Sequence, residues 1–218
     1  MDKKLGVVFR KFCNIIPIKG YKDDSLNVGS SVIVETDRGV EFGKIVSMMG
    51  EKGRLTGTDI KLRKILRYAT EEDIQKAKGL EQKEKEAVDL ARKKIEESES
   101  PIRIIEAEML FDESKIIYYY KVLDVKKVFS NKQLIKDLSS ALNKKIDMHS
   151  VSPREQARIV PGIGPCGRKV CCASFLDEFP HISVKMLKEQ GIALNQSKIC
   201  GLCGKFLCCL KYECECKK

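Results

Sequence analysis

Two segments of this chain repeat each other: Gly164 to Cys172 reads G-P-C-G-R-K-V-C-C, and Gly201 to Cys209 reads G-L-C-G-K-F-L-C-C, 37 residues further on. Each copy spaces its thiols C-x4-C-C and flanks the leading cysteine with glycines, where small residues let backbone fold closely around a bound ion. A repeat made only for packing would need apolar residues at these positions, not cysteines. Nine of the ten cysteines lie between Cys166 and Cys216, so whatever the rest of the chain builds must present this thiol-rich end. Cys13 stands apart and is assigned to the core or to no role.

What so many thiols do depends on compartment, because an oxidising one makes disulfides and a reducing one leaves thiols for metal. The N-terminal MDKKLGVVFRKFC has charges at positions 2 to 4 but no apolar run of signal-peptide length and no small-residue cleavage site. No later stretch approaches the ~20 apolar residues of a membrane span. A soluble, cytoplasmic chain without membrane insertion is expected. Vicinal disulfides at Cys171-Cys172 and Cys208-Cys209 are disfavoured, since adjacent Cα atoms lie ~3.8 Å apart and disulfides prefer ~4.4 to 6.8 Å. One or two thiols can serve as small core hydrophobes, but nine in such a span exceed that use.

Metal ligation remains. Thiolates without histidine or carboxylate arrays select zinc or an iron-sulfur cluster over magnesium, calcium or manganese. Cys200-x2-Cys203 is a knuckle that either accepts, while C-x4-C with a following cysteine is less typical of zinc ribbons. Spacing alone leaves the two open. Consecutive side chains diverge, so one member of each Cys-Cys pair is expected to point elsewhere, into the core or toward a second site.

The remaining sequence divides into two units. Residues 1–70 read as β-rich: Val32 to Thr36 and Val40 to Val46 flank Asp37, Arg38 and Gly39 as a hairpin. KLRKILRYAT follows as a strand; with alternating faces it sets Lys61, Arg63 and Arg67 on one side and Ile60, Leu62 and Leu66 on the other. Residues 71–160 read α, β, β, α, β. Thr70 and Asp73 form a capping box opening a long charged helix with a sparse stripe of Ile74, Leu80, Ala87, Val88, Leu90, Ala91 and Ile95, and Gly79 is a candidate break. Ile102 to Phe111 and Lys115 to Val122 form a second hairpin across Asp112, Glu113 and Ser114. Ser130 with Gln133 caps a helix carrying Leu134, Ile135, Leu138 and Leu142, KKIDMHSV forms a strand, and Ser152 with Glu155 caps a short helix that must stop at Pro161. The expected class is α+β: a β-rich N-terminal unit, an α+β middle with an antiparallel sheet, and an irregular Cys-rich segment over 161–218.

The formal charge of +10 suits a polyanion partner, but it also suits solubility alone. It does not sit on the long helix, whose residues 71 to 99 carry ten acids and seven bases. A zinc-stabilised nucleic-acid binder using Lys61, Arg63, Arg67, Arg168 and Lys169 is therefore one alternative. Catalysis finds little support. His149 and His181 lie in no metal or nucleophile motif, and no P-loop, Rossmann fingerprint, G-x-S-x-G or H-E-x-x-H is present. A thiolate enzyme would need one cysteine singled out by its surroundings, and no residue in the sequence does so.

With the doubled motif, GVVFRK, VIVETDRGVEFGKIV, KLRKILR, SVSPREQARIV, CCASFL and SKICGLCGKFLCCLKYE in hand, nearly the whole chain resembles the bacterial RicT family, also called YaaT. The resemblance implies a cytoplasmic regulatory subunit, not an enzyme. It would join small helical partners, RicA-like and RicF-like, in a complex carrying [4Fe-4S] clusters. That complex is linked to RNase Y and messenger-RNA maturation, and to the phosphorelay of sporulation, competence and biofilm formation; RNA would be met through the complex. Carried over by motif, the implied ligands are Cys166, Cys171, Cys172 and Cys203, then Cys208 and Cys209. The chain departs from the family pattern at Cys200, where serine is common and where a further knuckle lets zinc compete, and at the added Cys214-x-Cys216.

Overall fold

In the computed structural model the described residues are 5–10, 15–17, 27–47, 62–98, 100–124, 131–176, 181–191 and 199–216. Strands β1 (Leu5–Phe9), β2 (Ile15–Pro17), β3 (Ser31–Thr36), β4 (Val40–Ser47) and β5 (Leu62–Tyr68) form an antiparallel sheet in the order β2-β1-β4-β3-β5. The expected hairpin is β3-β4, closed by the Thr36 N–H donating to the Gly39 carbonyl at 2.9 Å. Alternation sends Val7, Phe9, Val32, Val34, Ile45 and Ile65 into one core.

β5 departs from simple alternation. Val34 pairs with Ile65 while Ile33 pairs with Arg67, so Leu66 is an extra residue bulged out of the ladder. Ile65 is therefore the buried residue, and Leu66, expected on the covered face, is 45% exposed. Lys61 and the side chain of Arg63 lie outside the described residues.

Helix α1 (Glu71–Glu97) opens on the expected box: Thr70 accepts from the Asp73 N–H, and Asp73 accepts from the Thr70 N–H at 2.9 Å. It runs through Gly79 without a break. A helical glycine costs only ~1 kcal/mol relative to alanine, less than the burial of Ala77, Leu80, Ala87, Val88, Ala91 and Ile95 contributes. Its buried stripe also contains Glu84, wholly covered, which accepts from the Met109 N–H at 2.9 Å and pairs with Arg10 at 2.5 Å. The composition of the stripe gave no hint of a buried acid.

The second sheet is β6 (Ile102–Met109), β7 (Lys115–Val122) and β8 (Lys145–Ser150), in that order. β6 and β7 are the expected antiparallel hairpin, whose turn places Glu113 at φ 58. β8, however, runs parallel to β7. The crossover through α2 (Asn131–Leu142) carries the chain back to the same end of the sheet, which is how parallel neighbours are joined. Ser130, the anticipated cap, lies outside the described residues. Leu134 and Leu138 of α2, the α1 stripe and Ile104, Ile116 and Tyr118 make the main core, joined by Ile33 of the first sheet.

The opposite face of the second sheet positions the cysteines. Leu110, Ile117 and Tyr119 there pack against Val151 and Ile159, fixing the short helix α3 (Pro153–Ile159). Ser152 caps α3 with Glu155 as anticipated, and the helix ends before Pro161. The other side of α3 meets the thiol-rich segment: Ala157 packs with Val170, Cys172 and Ala173. That segment is more regular than its glycines and prolines suggest. It contains a 3-10 turn (Cys171–Ala173), α4 (Val184–Glu189) and α5 (Cys209–Cys216), and Ile182, Leu187, Ile199 and Leu210 form a small core between the last two.

Candidate metal centre

The repeat in sequence is a repeat in structure. In the first copy the Gly164 N–H donates to the Arg168 carbonyl at 2.8 Å and the Gly167 N–H to the Gly164 carbonyl at 3.0 Å; in the second, Gly201 donates to Lys205 at 2.8 Å and Gly204 to Gly201 at 2.9 Å. Each turn is closed by one antiparallel bridge, Ile163 with Lys169 and Cys200 with Phe206. Gly167 and Gly204 sit at φ 76 and φ 72, a left-handed conformation that costs a side-chain-bearing residue ~1–2 kcal/mol. These are two copies of one knuckle, each presenting a thiol at its tip and a Cys-Cys pair at its exit.

The knuckles face each other. Phe175 and Tyr212, also 37 residues apart, stack edge-on with ring centroids 5.2 Å apart. Equivalent residues of two copies touch when a twofold relates the copies, and Cys171 lies within electrostatic range of its own equivalent, Cys208. Between the copies is a cavity of about 410 Å³ whose walls include Cys166, Cys171, Cys172, Cys203, Cys208 and Cys209. Among the described residues no aspartate, glutamate or histidine lines it. The thiols spread over its wall instead of meeting at one point: among the described residues, no three metal-ligating side chains have the spacing that would hold a single ion.

Cys200 is placed elsewhere. It packs against the Ile182, Leu187, Ile199 and Leu210 core, and its equivalent in the first knuckle is Ile163, an apolar bridge position. The side chains of Cys214 and Cys216, and Cys13, lie outside the described residues. No disulfide joins Cys166, Cys171, Cys172, Cys200, Cys203 or Cys208.

Two arginines of α3 next to this site were not singled out from sequence, and of the two Arg154 lines the cavity. Arg154 and Arg158 lie four residues apart on α3 and are only 7% and 6% exposed. Arg154 reaches the cavity wall and donates through Nη2 to the Phe206 carbonyl at 3.2 Å, tying α3 to the second knuckle. Burial pushes the Cys172 thiol up, helped by Cys203, while Arg158 and Arg154 pull it down. Burial likewise raises Cys208; there Arg154 opposes it, and Cys172, Cys203 and Cys171 add to it. The signal that could have found them is an i, i+4 arginine pair on a short capped helix directly before the first knuckle.

Of the cations proposed to meet phosphate, Arg168 and Lys169 are exposed on the first knuckle. Arg67 is engaged by Asp73, forming a bond at 3.0 Å and a second, shorter one. His149 stacks on Tyr119 at 6.1 Å between ring centroids and is remote from the thiols in its contacts.

Comparison with known proteins bears on the whole chain. Residues 63–151, from β5 to the end of β8, match the family model of the PSP1 C-terminal conserved region. Residues 181–217, holding α4, the second knuckle and α5, match the model described as PSP1-like protein, third domain. Stage 0 sporulation protein YaaT of Bacillus subtilis (strain 168) is 39% identical over 216 residues, 98% of this chain and 76% of that protein. The chain belongs to the YaaT family. The resemblance to RicT, the same family under its other name, thus holds along the whole length from the first sheet to the second knuckle. No solved structure matches it. Within a YaaT-family chain, the described residues include no helix long and apolar enough to cross a membrane.

Proposed function

We propose that this chain is a regulatory adaptor in the cytoplasm whose two knuckles hold an iron-sulfur cluster of the [4Fe-4S] type and whose work is assembly and sensing, not turnover. The observation that carries the reading is the convergence of six thiols from both copies of the motif on one cavity of about 410 Å³. A zinc ion with four sulfurs at ~2.3 Å is enclosed by its own ligands and needs no room beyond them. A water molecule, for scale, takes ~30 Å³ of liquid volume. A cavity this large, lined by more thiols than one ion takes, fits a polynuclear group, for which four thiolates are the usual complement.

Cys166 and Cys203 would reach the group from the knuckle tips, with the remaining ligands drawn from Cys171, Cys172, Cys208 and Cys209. When bound, a cluster supplies reversible electron transfer and sensitivity to oxygen. The protein's own residues orient the thiols through the knuckle hydrogen bonds, give the cavity an apolar lining with Val170, Leu202 and Leu207, and tie the site to the sheets through α3. Thiols beyond four remain to complete a site shared with a partner. The partners proposed are small helical proteins, RicA-like and RicF-like, with RNase Y and its messenger-RNA substrates reached through that complex. The name of the Bacillus relative supports a role at the onset of sporulation, and competence and biofilm control belong to the same proposal.

Anaerobic purification followed by absorption spectroscopy and analysis for iron, sulfide and zinc tests this. A broad visible band with iron and sulfide in matching amounts supports the cluster. Stoichiometric colourless zinc would replace it with the alternative of a zinc-stabilised nucleic-acid binder, for which RNA affinity should fall steeply with salt.

A further inference from the structure

One guanidinium serves two buried carboxylates where the first sheet meets the second. Arg38, in the turn between β3 and β4, grips Glu41 with two bonds, from Nε at 2.9 Å and from Nη2 at 2.8 Å, and turns Nη1 to Glu108 of β6 at 3.1 Å. The Tyr119 hydroxyl of β7 donates to Glu108 Oε2 at 3.0 Å and accepts from the same Nη1 at 3.2 Å. Glu41 and Glu108 are only 4% and 5% exposed. Two carboxylates that share one cation away from water are costly to ionise together, so one of them holds its proton more firmly. Glu41 has the two-pronged grip and the Thr36 hydroxyl at 2.8 Å besides, which leaves Glu108 as the proton holder. Burial pushes the Glu108 carboxyl up; Arg38 pulls against it, Glu41 adds to it and Tyr119 lowers it, the result lying above the ordinary value. The backbones also meet here: the Phe111 N–H, just past β6, donates to the Val40 carbonyl at 3.0 Å, and a Cβ at Gly39 would lie 2.8 Å from Leu110 Cδ1.

The other charges around Glu108 are committed elsewhere or face it from further off. Arg10, on the wall of the same small gap as Glu41 and Glu108, pairs with Glu84 of α1. Across the sheet, Tyr119 has Glu106 of β6 opposite it on one side and His149 of β8 on the other. Asp147, the other acid of β8, is paired with Lys115 at 2.7 Å. α3, which packs on this face, carries Arg154, Glu155 and Arg158. The hydrogen bonds Glu108 itself makes through its carboxylate are to Arg38 and Tyr119.

We propose that Glu108 is a proton-operated latch between the two sheets, closed when its carboxyl holds a proton and loosened when it ionises. With the proton in place, on the oxygen that Tyr119 does not use, Arg38 answers Glu41 alone. Without it, one guanidinium must serve two buried anions, and the turn between β3 and β4 is held less firmly against β6. Tyr119 also belongs to the small core that seats α3, so the latch lies one side chain from the helix that leads into the knuckles. The inference is independent of what the thiols hold.

The test uses the full chain labelled with 13C at its glutamate carboxyls, the Glu108 signal being assigned through the backbone. Glu108 is expected to titrate above the ordinary glutamate value of ~4.3. A carboxyl raised in the folded chain contributes its full stability below the unfolded value and loses it as pH rises through the folded one. Urea unfolding should therefore show the native chain losing stability across that window relative to Glu108→Gln, by about tenfold in the unfolding equilibrium for every pH unit between the two midpoints. Over the same window the Phe111 N–H, corrected for intrinsic exchange, should lose protection in the native chain and keep it in Glu108→Gln. Glu41→Gln leaves Arg38 to Glu108 and should lower the Glu108 midpoint. A Glu108 midpoint at or below ~4.3 would overturn the latch, as would a midpoint that Glu41→Gln leaves in place or a Phe111 protection that falls equally with and without Glu108. The titration of the native chain needs no variant, so it decides the matter even if Glu108→Gln does not fold.

Discussion

Replacing Arg10 by methionine removes the cation that reaches from the first sheet into the seam between α1 and β6. Arg10 donates to the Ala77 carbonyl at 2.7 Å and pairs with Glu84 at 2.5 Å, and Glu84 has no solvent exposure. Removing one partner of a buried ion pair costs about 3–5 kcal/mol. Glu84→Met alone should cost a similar amount, because it also orphans the Met109 N–H that Glu84 accepts. The double variant removes both charges, so its remaining cost is about 1–3 kcal/mol for unpaired backbone groups. The two singles therefore should not add: a coupling of about 2 kcal/mol or more is expected, where distant sites add within ~0.5 kcal/mol. Urea unfolding measures it as midpoint shifts at constant slope, and each single variant should lose roughly 6–20 °C in Tm for a chain of this size. Additive single and double variants would refute the claim that this pair clasps the first sheet to the α1 seam.

Other consequences are separately measurable. Asp73, engaged by Arg67 and by the Thr70 N–H, holds its carboxyl well below the usual carboxylate range. Its contribution is complete above the unfolded value of about pH 4 and is lost as pH falls through the folded value, so the urea stability deficit of Asp73→Asn should be full at neutral pH and shrink below about pH 4. Gly204→Ala places a side chain at φ 72; it should cost ~1–2 kcal/mol locally and lower bound metal per chain, while leaving exchange protection of Ile116 to Tyr120 unchanged. Cys203→Ser should abolish stoichiometric metal, whereas Cys200→Ser, whose thiol packs in the α4-α5 core, should retain it; equal loss in both would place Cys200 among the ligands.

Much of the architecture was legible because it rests on local signals. Thr70 with Asp73 and Ser152 with Glu155 announce their helices by capping chemistry alone, and Asp37 to Gly39 announces a hairpin. What escaped was decided by pairing between distant segments. The bulge at Leu66 arises from the register of β5 on β3, which alternation within β5 does not encode. The parallel placement of β8 comes from where α2 packs, and the buried Glu84 from an arginine 74 residues away in sequence. At the site, the repeat identified the thiols that line the cavity, but that Cys200 takes the bridge position held by Ile163 in the first knuckle shows only when the knuckles are compared in space. The same comparison extends the repeat to Phe175 and Tyr212, which differ in sequence context and meet edge to face.

Anomalous diffraction at the iron edge, from crystals of the chain reconstituted and grown without oxygen, tests most directly whether both knuckles serve one group. The expected result is a single compact iron density in the cavity between α3 and α5, with thiolates from 166–172 and from 203–209 bonded to it. Iron held by one knuckle alone, or a zinc ion in a closed site of four thiolates, would contradict it.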